Sequence, residues 1–381
     1  MIYADNAATT KIDDQVFATM LPYLREHYGN ASSQYTLGHT SKRAIERARE
    51  QVSKAIGAKV KEVYFTSGGS ESDNWAIRGV VIARRENGNH IITSAIEHAA
   101  VLNTCDFLKE QGFEVTYLPV DKTGKVNPLD VAAAIKPTTI LVSVMMANNE
   151  VGTIQPIQEI SKITKEANIL LHTDAVQAVG HIPVDVNELG VDLLSASAHK
   201  FHGPKGMGVL FIRENTPILQ LIYGGHQENG FRAGTENVPG IVGTGSAIEL
   251  SIENLGEHMQ QMRNLSDITI STLRSQIPGL IINGNERDRL PGIVNISFPG
   301  VEGEAMMSLL NIKGICISKS SACASGSFKP SHVLLAIGAL PKQANNTIRI
   351  SYGKYNSETD TRTIIDEIIY GYKKLSKKGT K

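Results

Sequence analysis

Ile169-Leu170-Leu171-His172-Thr173-Asp174-Ala175-Val176-Gln177, followed by Leu193-Leu194-Ser195-Ala196-Ser197-Ala198-His199-Lys200, is the stretch that decides the fold. Each part starts as a short apolar run without helical period, as a strand buried on both faces does, and ends in polar or small side chains. Similar runs occur upstream at Val63-Tyr64-Phe65-Thr66, Ile91-Ile92-Thr93 and Ile140-Leu141-Val142-Ser143-Val144, and downstream between Met207 and Ile212. Helical patterns lie between them. One of these runs from Thr40 to Ile56, with Ile45, Ala48, Val52 and Ile56 on a single stripe. The alternation predicts an α/β layer with a mainly parallel sheet.

A helical stretch expected from about Val238 to Leu273 leads into a smaller α+β unit. Its expected strands lie at Ile293–Phe298, around Ile315 and Ile317, and at Thr347–Ser351, with helices near Glu304–Leu310 and Thr359–Leu375. The expected division is a large domain over 12–253 and a small domain over 254–381 with 1–11. A chain of 381 residues, 41% apolar, can bury two such cores. The 38 basic and 38 acidic residues balance, so nothing favours nucleic acid or an anionic membrane as a partner. No apolar run is long enough to span a bilayer, and Met1-Ile2-Tyr3-Ala4-Asp5-Asn6 has no signal-peptide features, so a cytoplasmic protein is expected. Three cysteines form neither a disulfide framework nor a paired zinc motif, which leaves room for a working thiol.

The chemistry-bearing residues follow the strands, where an α/β sheet binds its ligands. Thr66-Ser67-Gly68-Gly69-Ser70-Glu71-Ser72 opens a helix; it offers N–H groups and hydroxyls to a phosphate, or is a turn capped by Ser70. It is not a Walker A loop. Asp174 at a pocket rim needs a cation, such as a protonated pyridine nitrogen, or else serves as a helix cap. Ser197, His199 and Lys200 place a hydroxyl, an imidazole and an amine within four residues. An amine held there can carry an aldehyde cofactor as a Schiff base, although a lone lysine is normally a solvated surface group. His98 can stack on a cofactor ring or be an ordinary satisfied histidine. The histidines at 98, 172, 199 and 202 with Asp174 show no His-Glu-x-x-His spacing, so a metal site is disfavoured.

Cys323 sits in Ser318-Lys319-Ser320-Ser321-Ala322-Cys323-Ala324-Ser325-Gly326-Ser327, whose composition predicts a loop in which Lys319 helps form a thiolate. Cys105 and Cys316 lie among apolar residues and read as core thiols. Arg349 holds a substrate carboxylate if its strand is buried, and is merely solvated if that strand is at an edge.

Taken together, the motifs resemble those of the NifS/IscS-like cysteine desulfurases, pyridoxal-phosphate enzymes with the aspartate-aminotransferase fold (fold type I). They are Asp5-Asn6-Ala7-Ala8-Thr9-Thr10, Thr66-Ser67-Gly68 with Glu71-Ser72, Glu97-His98, Asn148-Asn149-Glu150-Val151-Gly152, His172-Thr173-Asp174-Ala175-Val176-Gln177, Ser197-Ala198-His199-Lys200, Arg232-Ala233-Gly234-Thr235-Glu236-Asn237 and Ser321-Ala322-Cys323. They occur in the family's order along the whole chain.

The resemblance implies an L-cysteine desulfurase that releases L-alanine and leaves the sulfur as a persulfide on Cys323, the nucleophile. Lys200 would bind pyridoxal phosphate and move the Cα proton. Asp174 would pair with the ring nitrogen, Gln177 with the ring hydroxyl, and Asn149 would contact the ring region. His98 would stack on the ring and assist proton transfer. Gly69, Ser70, Ser197 and His199 would cradle the phosphate, with Thr235 contributed by the other subunit of a homodimer. Asn30 and Arg349 would hold the substrate carboxylate. The family's partner is a sulfur-acceptor protein such as an iron–sulfur scaffold, and Cys323 would be at most a transient iron–sulfur ligand, with no resident metal. The family often has Ala-Thr where this chain has Gly69-Ser70, and Ser-Gly where it has Lys319-Ser320. An aminotransferase or selenocysteine lyase of the same fold would not need Cys323 in the same way, and a non-catalytic sulfur carrier would use Cys323 alone.

Overall fold

The apolar runs become strands of three sheets in the computed structural model, which describes residues 1–319 and 330–376. β1 (Ile2–Tyr3) is followed by β2 (Val63–Thr66), β3 (His90–Ser94), β4 (Glu114–Leu118), β5 (Thr139–Ser143), β6 (Leu170–Asp174), β7 (Leu193–Ser197) and β8 (Gly208–Ile212). The last seven form one sheet in the order β2-β8-β7-β6-β5-β3-β4. All neighbours in it are parallel except at β8, which runs antiparallel to both β2 and β7. The inner strands are mostly apolar and buried because both faces of the sheet are covered, whereas β4, at the edge, has an exposed Glu114 and was not expected from the sequence. Val142, Leu171, Leu194 and Val209 belong to one apolar cluster, while Leu141, Leu193 and Leu210 belong to another. Each such leucine removed from water contributes about 1.5–3 kcal/mol.

Four short strands complete the fold: β9 (Ile281–Asn283), β10 (Ile293–Ser297), β11 (Ile315–Cys316) and β12 (Thr347–Ser351). β10 pairs antiparallel with β9 and β12, and β11 pairs in parallel with β1. Val294, Ile296, Ile348 and Ile350 make a separate core with Met306, Ile364 and Ile368 from the helices Gly303–Ile312 and Glu358–Ser376, and Ala4 from the N-terminal segment joins it.

Three expectations are corrected. The helix expected from Thr40 begins at Thr36 and ends at Ala55, with Ile45, Ala48 and Val52 on its buried stripe. The single helix expected over Val238–Leu273 is two, Val238–Glu253 and Leu255–Gln276, because Asn254 leaves the helical region at φ −112° and ψ 16°. β12 is an edge strand of its sheet, yet Arg349 is not solvated. Asp5 bridges to Ser351 and Ser318 to Arg349, so the N-terminal segment and the chain after β11 cover that edge. Among the described residues, no helix is long and apolar enough to cross a membrane.

Candidate functional site

A cavity of about 360 Å³ opens where β2, β3, β5, β6 and β7 end, and it is lined by side chains from each of the turns that follow them. After β7 the chain makes one short turn, Ala198–Lys200, which brings Lys200 to the cavity. Its Nζ donates to the carbonyls of Ala7 at 2.6 Å and Ala8 at 2.8 Å. The Ala7 carbonyl also accepts from Gln177 Nε2 at 2.9 Å, so the N-terminal segment fixes both side chains. His199 lies against Thr9, with Nδ1 3.1 Å from the hydroxyl, and burial lowers its imidazole to about 4, leaving it neutral at working pH.

Asp174 ends β6 and accepts from the Val176 N–H at 2.9 Å. Burial pushes its carboxyl above the ordinary range, while His98 and Lys200 pull it back toward the charged form. Asp73, from the helix Gly69–Ala83, faces it, and Asp73, His98 and Asp174 each bring a polar atom within 4.8 Å of the others. Burial and the Asp174 charge hold Asp73 protonated to well above the usual carboxylate range. Glu97 is a third buried acid, raised by burial to about 8, although it accepts from Ser94 Oγ at 2.5 Å and from the Met145 N–H at 2.9 Å. Behind them His172 is clasped by Ser143 and Ser195 hydroxyls at 2.8 and 3.0 Å, and burial lowers it to about 3. It is therefore neutral, and its 3.7 Å approach to Asp73 is not an ion pair.

His98 caps the helix Ala99–Glu110: its Nδ1 accepts from the Ala100 N–H at 3.2 Å. That bond assigns the ring proton to Nε2. The helix Gly69–Ala83 starts at the cavity wall, where first-turn N–H groups have no intrahelical acceptor. Ser70 and Ser197 line the same cavity. Arg349 enters from β12, buried to 1% exposure; NH2 is paired with Asp5 Oδ1 at 2.8 Å and NH1 donates to the Asn149 carbonyl at 2.8 Å.

Ten of the thirteen residues singled out in the sequence thus line one cavity: Lys200, His98, Asp174, Gln177, Asn149, Gly69, Ser70, Ser197, His199 and Arg349. Asn30 and Thr235 do not line it. Both are exposed; the Asn30 side chain accepts from the Ser32 N–H at 2.9 Å, and the Thr235 segment is tied to the phosphate-type turn through Arg232, whose Nε is 2.9 Å from Glu71 Oε1. Cys323 lies outside the described residues. Asp73 was missed, although it sits four and seven residues before Ile77 and Val80 on the buried stripe of its helix, a position where a carboxylate is out of place.

The residues fit pyridoxal phosphate. A buried acid beside a second, protonated acid, with Asp73 Oδ1 left without a partner among the described residues, suits a ring nitrogen that arrives with a proton. A helix N-terminus with two serines suits a phosphate, and an anchored amine lies in the same cavity.

The family model described as Aminotransferase class-V matches residues 2–364. A curated relative, "Cysteine desulfurase IscS" of Dictyoglomus turgidum, is 52% identical over 365 residues, covering 96% of this chain and 93% of its own. A solved structure titled "NIFS-LIKE PROTEIN" superposes with a TM-score of 0.93 at 41% identity, covering 98% of this chain and all of that one. Another, titled "SspA in complex with cysteine", gives a TM-score of 0.83 at 36% identity over 94% of this chain and 100% of its own.

Proposed function

Because the chain belongs to the class-V aminotransferase family, and within it to the NifS/IscS-like cysteine desulfurases, pyridoxal-phosphate enzymes acting on L-cysteine, we propose how its own residues divide that work. The carrying observation is the convergence of Lys200, Asp174, His98 and Arg349 on one cavity. Bound pyridoxal phosphate supplies an electron sink that lets a Cα proton leave.

Lys200 Nζ would hold the cofactor through its aldehyde group, and the same amine would carry the Cα proton. Asp174 would support the ring nitrogen in its cationic form, and the rest of the Gln177 amide would serve the ring hydroxyl. Gly69, Ser70, Ser197 and His199 would hold the phosphate. Asn149 would contact the ring region and Arg349 would hold the substrate carboxylate, a role the motif resemblance also gives to Asn30, which does not line the cavity in the single chain. His98 works through Nε2, since Nδ1 is committed to the Ala100 N–H. Cys323 Sγ, as thiolate, attacks the substrate sulfur: an S–S bond forms and the Cβ–S bond breaks. The electron pair stays on Cβ, which takes up a proton on the way to alanine, and a persulfide is left on Cys323.

The working unit is a homodimer in which Thr235 completes the partner's phosphate site. An exposed Thr235 tied by Arg232 to Glu71 supports this. Residues 12–253 form the cofactor-binding unit and 254–381 with 1–11 the smaller one, supported by the separate core around Val294 and Ala4. The persulfide passes to an acceptor protein such as an iron–sulfur scaffold. Free thiols at Cys105 and Cys316 accord with a cytoplasmic setting.

The test compares wild type with Cys323→Ala after L-cysteine is added. The variant should keep its visible absorption and its spectral response to L-cysteine, yet release no sulfide. Unchanged sulfide release would sink the assignment of Cys323.

A further inference from the structure

Arg349 has a counter-ion of its own before any substrate arrives. Its NH2 group pairs with Asp5 Oδ1 at 2.8 Å and its NH1 group donates to the Asn149 carbonyl, while Nε has no partner among the described residues. Asp5 is held from a second side, because Oδ2 accepts from Ser318 Oγ at 2.6 Å. Ser318 in turn exchanges both backbone bonds with Arg349, at 2.7 and 3.2 Å. The side chains of Arg349 and Asp5 are 1% and 16% exposed, so water screens this charge pair little.

A guanidinium so deeply buried needs an opposite charge to be tolerated. That same charge weakens the pull of Arg349 on any further anion. Substrate L-cysteine and product L-alanine carry the same carboxylate, so a strong hold on it binds both alike, does not speed the chemistry and slows product departure. We infer that Asp5 is a specificity-determining counter-ion: it neutralises Arg349 so that the amino-acid carboxylate is recognised through directed hydrogen bonds and the product is held loosely enough to leave. The inference rests on the reading of Arg349 as the carboxylate site.

Asp5→Asn keeps the size of the side chain and an oxygen for NH2 while removing the charge. In the holoenzyme, L-alanine should bind the variant about tenfold more tightly by calorimetry, and KM for L-cysteine should fall in step. Cysteamine, which has the thiol and amine of cysteine but no carboxylate, should inhibit wild type and variant equally. A role confined to stability predicts no gain in affinity and no distinction between ligands with and without a carboxylate. Asp5→Ser tests the same charge if Asp5→Asn does not fold. Unchanged or weakened L-alanine binding in the folded variants would overturn the proposal. Arg349→Gln separates the two readings: if it weakens L-alanine binding while the Asp5 variants fail to tighten it, only the role of Asp5 falls. If Arg349→Gln leaves L-alanine binding untouched, the reading of Arg349 falls and the inference with it.

Discussion

Glu97 shows what burial does to a single residue. Its carboxyl moves from an ordinary 4.5 to about 8, chiefly by desolvation. Between those values the folded protein keeps a proton that the unfolded chain gives up. The stabilisation is therefore complete below about pH 4.5, falls as pH rises, and levels off above about 8. Glu97→Gln should flatten that slope, shrinking the difference in urea-unfolding stability between pH 5 and pH 8 by on the order of 2–4 kcal/mol. Lys200 carries the second prediction at this scale. Lys200→Ala should leave no cofactor fixed by borohydride reduction, read by mass spectrometry, and turnover should drop by about a thousandfold or more. Asp174 ends an apolar run and Lys200 and His98 stand three and four residues beyond one, where the fold collects its polar groups, but their roles were legible in the sequence only through the conjunction of motifs. Asp73 was hidden because its significance depends on a helical stripe rather than on a neighbouring motif. Asn30 and Thr235 depend on the motif resemblance alone, and a single chain does not bring them to the cavity.

At the scale of elements, the phosphate-type turn is fitted to the turn after β6. A Cβ added at Gly69 would meet Val176 Cγ2 at 2.7 Å, too close for a stiff branched side chain to yield cheaply. Gly69→Ala should therefore cost about 1–3 kcal/mol of stability and loosen the cofactor. Val176→Ala should recover most of that loss, so a double-mutant cycle on unfolding free energy and cofactor dissociation should show coupling of about 1 kcal/mol or more. Additivity of the two changes would refute it. Six strands of the large sheet were found in the sequence because both their faces are apolar; β4, an edge strand with a half-exposed Glu114-Val115-Thr116-Tyr117-Leu118 run, was missed. The break at Asn254 could not, since apolar spacing continues on both sides of it, and β9, three residues with a half-exposed pattern, gives almost no periodic signal. The burial of Arg349 on an edge strand also escaped, because what covers that edge comes from residues 5 and 318.

Across the whole molecule, the first ten residues tie the parts together. Ala4 bonds to Cys316, Asn6 to Ser351 and Thr10 to His199 through the backbone, and the carbonyls of Ala7 and Ala8 receive the amine of Lys200. Deleting residues 1–9 should thus damage the site and the smaller core together. The expected result is a protein that retains little pyridoxal phosphate after desalting, by absorbance, and unfolds at a lower temperature than wild type. A truncated protein with full cofactor content would contradict the role given to this segment.

The antiparallel placement of β8 also sets an order in time. β2, which leads into the phosphate-type turn, has β8 as its one neighbour in the sheet among the described residues, yet residues 63–66 leave the ribosome long before residues 208–212. The N-terminal segment waits longer still, since Asn6 finds its acceptor only at Ser351. Synthesis must therefore be nearly complete before the amine at 200 has its carbonyl partners fixed in place. A nascent chain halted before β12 carries most of the cofactor-binding residues without the frame that aligns them, and the cofactor is gripped as one of the last events of the protein's making.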